Sequence, residues 1–231
     1  MNTATDTAIQ AAAAIVEDYF TAPVRTLLDW VDPFAAEVFD ARTAGPLTRS
    51  RIDALVEPHA LRTLDLPGVP VYGAGFIAAI DLLSDAHSHL AWWQGEDRRQ
   101  LVLASQSLNK ENIDYSALEW FRVPMATGEP HVAGPYVDYL CSDEYTLTVS
   151  LPVWHGKRFL GVVAMDLLVD DVERELLPAL REFGDVSVVN ASQRVLASTE
   201  TRLAPGDSVR ALDGYASSDC AIAGLRVLTR I

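Results

Sequence analysis

In "GVVAMDLLV", residues 161–169, one carboxylate, Asp166, interrupts an apolar run. An ionised acid in such surroundings is costly unless a cation or hydrogen-bond donors meet it. Taken alone, Asp166 reads as an acid at a strand end, hydrogen-bonded to a neighbouring loop. Upstream, "GPYVDYL" sets Tyr136 and Asp138 two residues apart, which on an extended strand puts a phenol and a carboxylate on one face. If that strand lies near the one bearing Asp166, two acids and a tyrosine converge on one cavity. Two close carboxylates without a cation push one pKa up, so a bound amine is the natural occupant.

Aromatic rings supply the other half of such a site. Trp92 and Trp93 are adjacent on a short apolar segment, so they face opposite sides of a strand, and Trp120 lies in "DYSALEWF", residues 114–121. A cation over an aromatic face gains about 0.5–2 kcal/mol. Each tryptophan taken singly also reads as core filling. Catalytic patterns are missing: the sequence has no G-x-S-x-G, no phosphate-cradling glycine loop and no H-E-x-x-H. His87 and His89 form an H-x-H pair that reads as solvent-facing polar residues, with metal ligation the lesser reading for want of a third ligand. No cofactor and no metal is expected.

The elements that must position these residues follow from periodicity. From Thr5 to about Arg42 apolar residues recur at helical spacing (Ile9, Ala13, Val16, Phe20, Val24, Leu27, Leu28, Val31, Ala35, Val38), with Pro23 and Pro33 as kinks or restarts. A second helical segment starts near Ser50 and ends before "DLPGVP". Beyond Pro70 the pattern changes to short strands: "VYGAGFIAAI", "HLAWWQ", "RQLVLASQSL", "PYVDYL", "EYTLTVSLPVW" and "FLGVVAMDLLV", the last two joined as a hairpin through "HGKR". Ser116 and Glu119 match a capping box for a helix beginning at Ser116, with Glu119 as a structural cap, and Asp170 with Glu173 matches another. The C-terminal "DVSVVNASQRVLAS" and "CAIAGLRVLTRI" read as strands separated by a polar loop. The fold class is therefore α+β: one or two long N-terminal helices over residues 1–66, then a mostly antiparallel sheet with flanking helices over residues 67–231.

Composition bounds the function. A chain of 231 residues, 49% hydrophobic, can build a sizeable core, and a formal net charge of -14 disfavours direct contact with a nucleic-acid backbone. The alanine-rich N-terminus lacks the basic region of a signal peptide, and no stretch of about 18 apolar residues occurs. With Cys141 and Cys220 in no metal or redox spacing, the expectation is a soluble, cytoplasmic protein with reduced thiols and no membrane contact.

Two stretches taken together, "DYSALEWFRVPMATGEPHVAGPYVDYL" and "YTLTVSLPVWHGKRFLGVVAMDLL", resemble the extracytoplasmic Cache sensor domains, relatives of the PAS fold. In that family D-Y-x-x-R-x-W-Y, P-Y-x-D and paired strands ending G-V-V-x-x-D recur in order. The resemblance extends over about Val71 to Leu180 and implies a PAS/Cache-like sheet preceded by an extended helix. For the amino-acid-sensing members it implies a grip on the ligand carboxylate by R-x-W-Y and on the amino group by Y-x-D and the final acid. Carried over, Trp120 matches the tryptophan, Tyr136 and Asp138 match Y-x-D, and Asp166 matches the last acid. The arginine position holds Leu118 and the following tyrosine is Phe121, so the amine half is present and the carboxylate clamp is missing.

The expectation is a sensor, not an enzyme, for a small cationic amine: a biogenic amine, a polyamine or a quaternary ammonium compound. Its ligand-binding residues would be Trp92, Trp93, Trp120, Tyr136, Asp138 and Asp166. Occupancy would pass to a protein partner such as a transcriptional regulator, with the N-terminal helix as transmission or homodimer element. The alternatives are an amine-metabolising enzyme using Asp138, Asp166 and Tyr136 as acid/base groups, and an interaction scaffold with a vestigial pocket.

Overall fold

The computed structural model describes residues 3–101, 114–139, 142–210, 212 and 214–231. Its elements in chain order are α1 (Thr3–Thr43), α2 (Arg49–Leu64), β1 (Val71–Ala78), β2 (Leu90–Gln94), β3 (Arg99–Gln100), α3 (Glu119–Thr127), β4 (His131–Val137), β5 (Tyr145–His155) and β6 (Arg158–Leu168). They continue with α4 (Val169–Leu180), a 3-10 turn (Arg181–Phe183), β7 (Val186–Val189), β8 (Val195–Ser198), β9 (Tyr215–Asp219) and β10 (Arg226–Arg230). The first six strands form one sheet in the order β3-β2-β1-β6-β5-β4, and the last four form a second in the order β8-β7-β10-β9. Helix first, antiparallel sheet next, helices flanking: the α+β expectation holds.

The chain divides into two compact units, one of residues 24–131 and 149–166, the other of residues 1–23, 132–148 and 167–231. In the first, α1 buries Val24, Leu27, Trp30, Phe34 and Val38, three or four residues apart, as an amphipathic helix must. Phe34 is the hub: its ring meets Trp30 at 5.7 Å, His59 of α2 at 5.9 Å and Phe76 of β1 at 4.8 Å. The α2 helix buries Ile52, Val56, His59, Ala60 and Thr63, and it packs on β1 and β2. Helix α1 runs unbroken through Pro23 and Pro33 rather than restarting; each proline removes one backbone donor, a loss offset by the buried apolar face. Periodicity also misplaced one residue: Leu28, expected among the apolar positions, is 49% exposed, while Trp30 and Phe34 fill the face.

Between β5 and β6 the "HGKR" hairpin forms as expected, with Gly156 at φ 59° supplying the turn's positive φ. In the second unit, a four-residue stretch of β7 pairs with β10 (Val188 opposite Val227), and β10 also pairs with β9 (Ser217 opposite Leu228). Strand β9 falls in the stretch read from sequence as polar loop. It is an edge strand, which explains its exposed Ser217 and Asp219 beside buried Ala216. The C-terminal strands thus build their own sheet.

Both capping boxes are corrected. Helix α3 starts at Glu119 behind Leu118, and α4 starts at Val169 behind Leu168, neither with a side-chain cap. Ser116 instead donates its backbone N–H (2.9 Å) to the Asp114 carboxylate, as does its hydroxyl, and Glu119 pairs with the buried His131 at 2.9 Å. The strand expected over "RQLVLASQSL" is described only as β3; from residue 102 it lies outside the described residues, as does Cys141.

Replacing Phe34 with alanine is expected to lower the unfolding free energy by about 3–5 kcal/mol. Leu28→Ala on the exposed side of the same helix should cost less than about 0.5 kcal/mol. Urea denaturation of the two variants checks the assignment, and equal costs would contradict it.

Candidate functional site

In the unit of residues 24–131 and 149–166 the large sheet has two chemically different faces. The register sets Gly75 opposite Trp92 and Ala74 opposite Trp93. Residues directly opposite share a face, so Trp93 lies with Phe76 on the side packed against Phe34 of α1, and Trp92 lies on the other. The two tryptophans therefore part as the sequence predicts, one of them into the helix-packed core.

Trp92 lies flat over β1 because two glycines make room for it. A Cβ on Gly73 would sit 2.7 Å from the indole Nε1 and 3.0 Å from Cε2, and one on Gly75 would sit 2.9 Å from the Trp92 Cα and 2.1 Å from the Ala91 carbonyl oxygen. The indole N–H is buried and makes no hydrogen bond.

Asp166 stands at a similar level on the next strand. β6 is the neighbour of β1, and Ala79 N donates to Leu160 O at 2.8 Å, so the end of β1 meets the start of β6 and the two strands run antiparallel. Counting back along β1 and forward along β6 by equal steps brings Gly73 and Asp166 together to within about a residue. The carboxylate is 3% exposed. It thus stands on the strand next to the glycine that carries the Trp92 indole edge.

β5, on the far side of β6, alternates strictly. Leu147, Val149, Leu151 and Val153 share one face with His155, whose ring stacks on Phe39 of α1 at 4.1 Å. The opposite face carries Ser150 and Trp154. Trp154 packs on Phe159 (5.0 Å) and Phe159 on Phe121 of α3 (5.5 Å), which marks this as the α3 side. Ser150 is fully buried and its hydroxyl has no partner. Through the β5–β6 hairpin it lies roughly 10 Å along the sheet from Asp166. A face that holds an unpartnered indole N–H and an unpartnered hydroxyl can meet a polar group of a small molecule.

Trp120 is buried in a ring cluster with Tyr115 (6.1 Å) and Phe121 (6.1 Å). Tyr115, which sequence reading passed over, anchors that cluster. Its hydroxyl donates to Ala78 O at 2.6 Å and accepts from His89 N at 3.1 Å, fixing the approach to α3 at the end of β1. Burial pushes the Tyr115 pKa up to about 12.

Tyr136 and Asp138 belong to the other unit. There the Tyr136 hydroxyl bonds Thr148 Oγ1 at 2.5 Å. Asp138 sits one residue past β4, buried between exposed Val137 and Tyr139, and its carbonyl closes a turn by accepting from Asp143 N at 2.8 Å.

His87 and His89 do not act as a pair: His87 bonds Asp81 (2.7 Å) and His89 bonds Asp53 (2.7 Å). Among the described residues no group of three or more His, Cys, Asp or Glu could hold a metal, and no helix is long and apolar enough to cross a membrane. Cys220 is buried, which pushes its thiol up to about 12. Cavities of about 360 and 370 Å³ open elsewhere in the first unit, lined by neither Trp92, Trp120 nor Asp166.

Residues 77–174, less than half of the chain, match the family model of the first PDC sensor domain of methyl-accepting-chemotaxis-protein-like proteins. No curated protein matches the sequence. The ligand-binding domain of the Campylobacter jejuni chemoreceptor Tlp3, solved with L-valine, superposes with a TM-score of 0.61 at 14% identity, covering 97% of this chain and 89% of that one. For the ligand-binding domain of the Pseudomonas fluorescens chemoreceptor CtaA, solved with L-valine, the values are 0.59, 11%, 97% and 94%. For that of the Pseudomonas aeruginosa PAO1 amino acid chemoreceptor PctC, solved with GABA, they are 0.53, 15%, 99% and 99%. The chain has the fold of the PDC, or Cache-like, sensor domains.

Gly73→Ala is expected to displace the Trp92 indole and destabilise the protein by about 1–3 kcal/mol, read by tryptophan fluorescence during chemical denaturation. Ser150→Ala removes a buried hydroxyl that bonds nothing, so it should leave the ligand-free melting temperature unchanged or raise it. A marked loss at Ser150 would show that the hydroxyl is already satisfied.

Proposed function

We propose that this chain is a ligand-binding sensor module whose ligand is a small cationic amine. One observation carries the reading: Asp166 is buried on the strand next to β1, while no lysine or arginine among the described residues is buried. A carboxylate in such a place favours a cation, and an aromatic face favours an ammonium group. The sequence resemblance adds that the arginine expected to clamp a ligand carboxylate is replaced by Leu118, partly exposed at the start of α3. The sensors of like fold solved with L-valine and GABA support small-molecule binding, and both of those ligands carry an ammonium group. Tyr136 and Asp138 enter the reading through the resemblance. Occupancy would shift the population of one conformation and be passed to a protein partner, with α1 as the transmitting or self-associating helix.

Amino acids are the second reading, favoured by the ligands of those same sensors. A thermal-shift panel separates the two. Primary and quaternary amines should raise the melting temperature, saturating amine adding about 2.7 kcal/mol at a hundred times Kd, while carboxylates should not. Asp166→Asn should abolish the response; Asp138→Asn tests the carried-over residue separately. Stabilisation by amino acids but not by amines would select the second reading, and stabilisation by carboxylates alone would reject both.

A further inference from the structure

We infer that His59 is a proton-operated latch between α1 and α2: neutral, it holds the two helices together, and protonation weakens its hold on residues 24–43 of α1. This goes beyond the ligand reading and does not depend on it.

His59 lies on α2 and is 7% exposed. Its ring stacks on Trp30 of α1 at 5.0 Å, nearly parallel at 16°, and meets Phe34 edge-on at 5.9 Å, with Phe76 of β1 packed behind Phe34. Each ring nitrogen has one charged neighbour. Arg62 Nη2 of α2 lies 3.0 Å from Nδ1, and Glu37 Oε2 of α1 lies 3.4 Å from Nε2. A guanidinium only donates, so Nδ1 is the acceptor and the ring proton sits on Nε2, directed at Glu37. One neutral tautomer thus satisfies both neighbours. A second proton has to go to Nδ1, where it confronts the Arg62 N–H. Arg62 is itself tied down, its Nε donating to Pro58 O at 3.0 Å.

Glu37 and the Trp30 face favour a charged ring, whereas burial and Arg62 oppose it. Glu37 is 44% exposed and its contact is long, so solvent screens its pull. Burial is the largest influence and lowers the His59 pKa below its ordinary value of 6.5. A chain in which α1 has come away from His59 therefore binds the proton more readily than the latched one. The contribution of His59 is complete above pH 6.5 and is lost as pH falls from there through the folded value.

Two measurements on the unaltered chain test this. Heteronuclear NMR of the His59 ring, identified by its contact with the Trp30 indole, should place the proton on Nε2 at neutral pH and give a titration midpoint below the ordinary one. Hydrogen exchange at the amides of residues 24–43, corrected for intrinsic rate, should show the opening of α1 increasing as pH falls through the same window. The two must agree: each tenfold by which latched His59 binds a proton more weakly is a tenfold rise in opening. His59→Gln, which keeps a donor toward Glu37 and cannot titrate, should remove most of this pH dependence. A proton on Nδ1 at neutral pH, a midpoint at or above the ordinary value, or α1 protection that does not change with pH overturns the inference. So does a pH dependence equally large in His59→Gln.

Discussion

Putting a carboxylate into the middle of a sheet is the constraint on which this site turns. An ionised acid at 3% exposure costs several kcal/mol unless donors or a cation meet it. On one side β1 has no side chain at Gly73, so an aromatic ring from β2 can slide across it. On the other side of β6, β5 carries Ser150, a buried hydroxyl without a partner.

The sheet can carry this polar face because its other face is uncompromising. Phe34, Trp30, His59 and Phe76 close on one another between α1, α2 and β1, and Phe39 stacks on His155. That side resembles the interior of any small domain and supplies the burial that holds the strands in register. The other face also holds buried polar groups that cost stability. Buried donors left without acceptors are the usual mark of a site kept ready for something else.

Local patterning made the elements legible. Alternation in "TLTVSLPV" and the "HGKR" turn give β5, β6 and their hairpin, and the three- to four-residue spacing gives α1 and α2. Local rules failed where a distant partner outbid a near one. Ser116 and Glu119 have the spacing of a capping box, yet Asp114 takes the serine and His131 takes the glutamate. Tyr115 matters through Ala78 and His89, residues that no window around position 115 contains. The acids and Trp92 could be singled out because a charge or an indole in an apolar run is conspicuous. Gly73, Gly75 and Ser150 could not, since a glycine in a strand says only that something approaches closely, and what approaches is decided by register.

Charge acts on the ligand before contact does. With 32 acidic against 18 basic residues, the surface attracts a monocation, leaves a zwitterion without net attraction and repels a carboxylate. At physiological salt this field reaches only about 8 Å, so it acts on encounter rather than on residence. A buried carboxylate works at shorter range, where salt screens less, and would oppose any carboxylate brought beside it without a cationic partner. Selection of an amine over an amino acid, as proposed, would have two sources, one that sets how fast a ligand arrives and one that sets how long it stays. Only the second would depend on Asp166, so the local chemistry around that buried acid, and not the acidity of the whole chain, would tell one ligand from another.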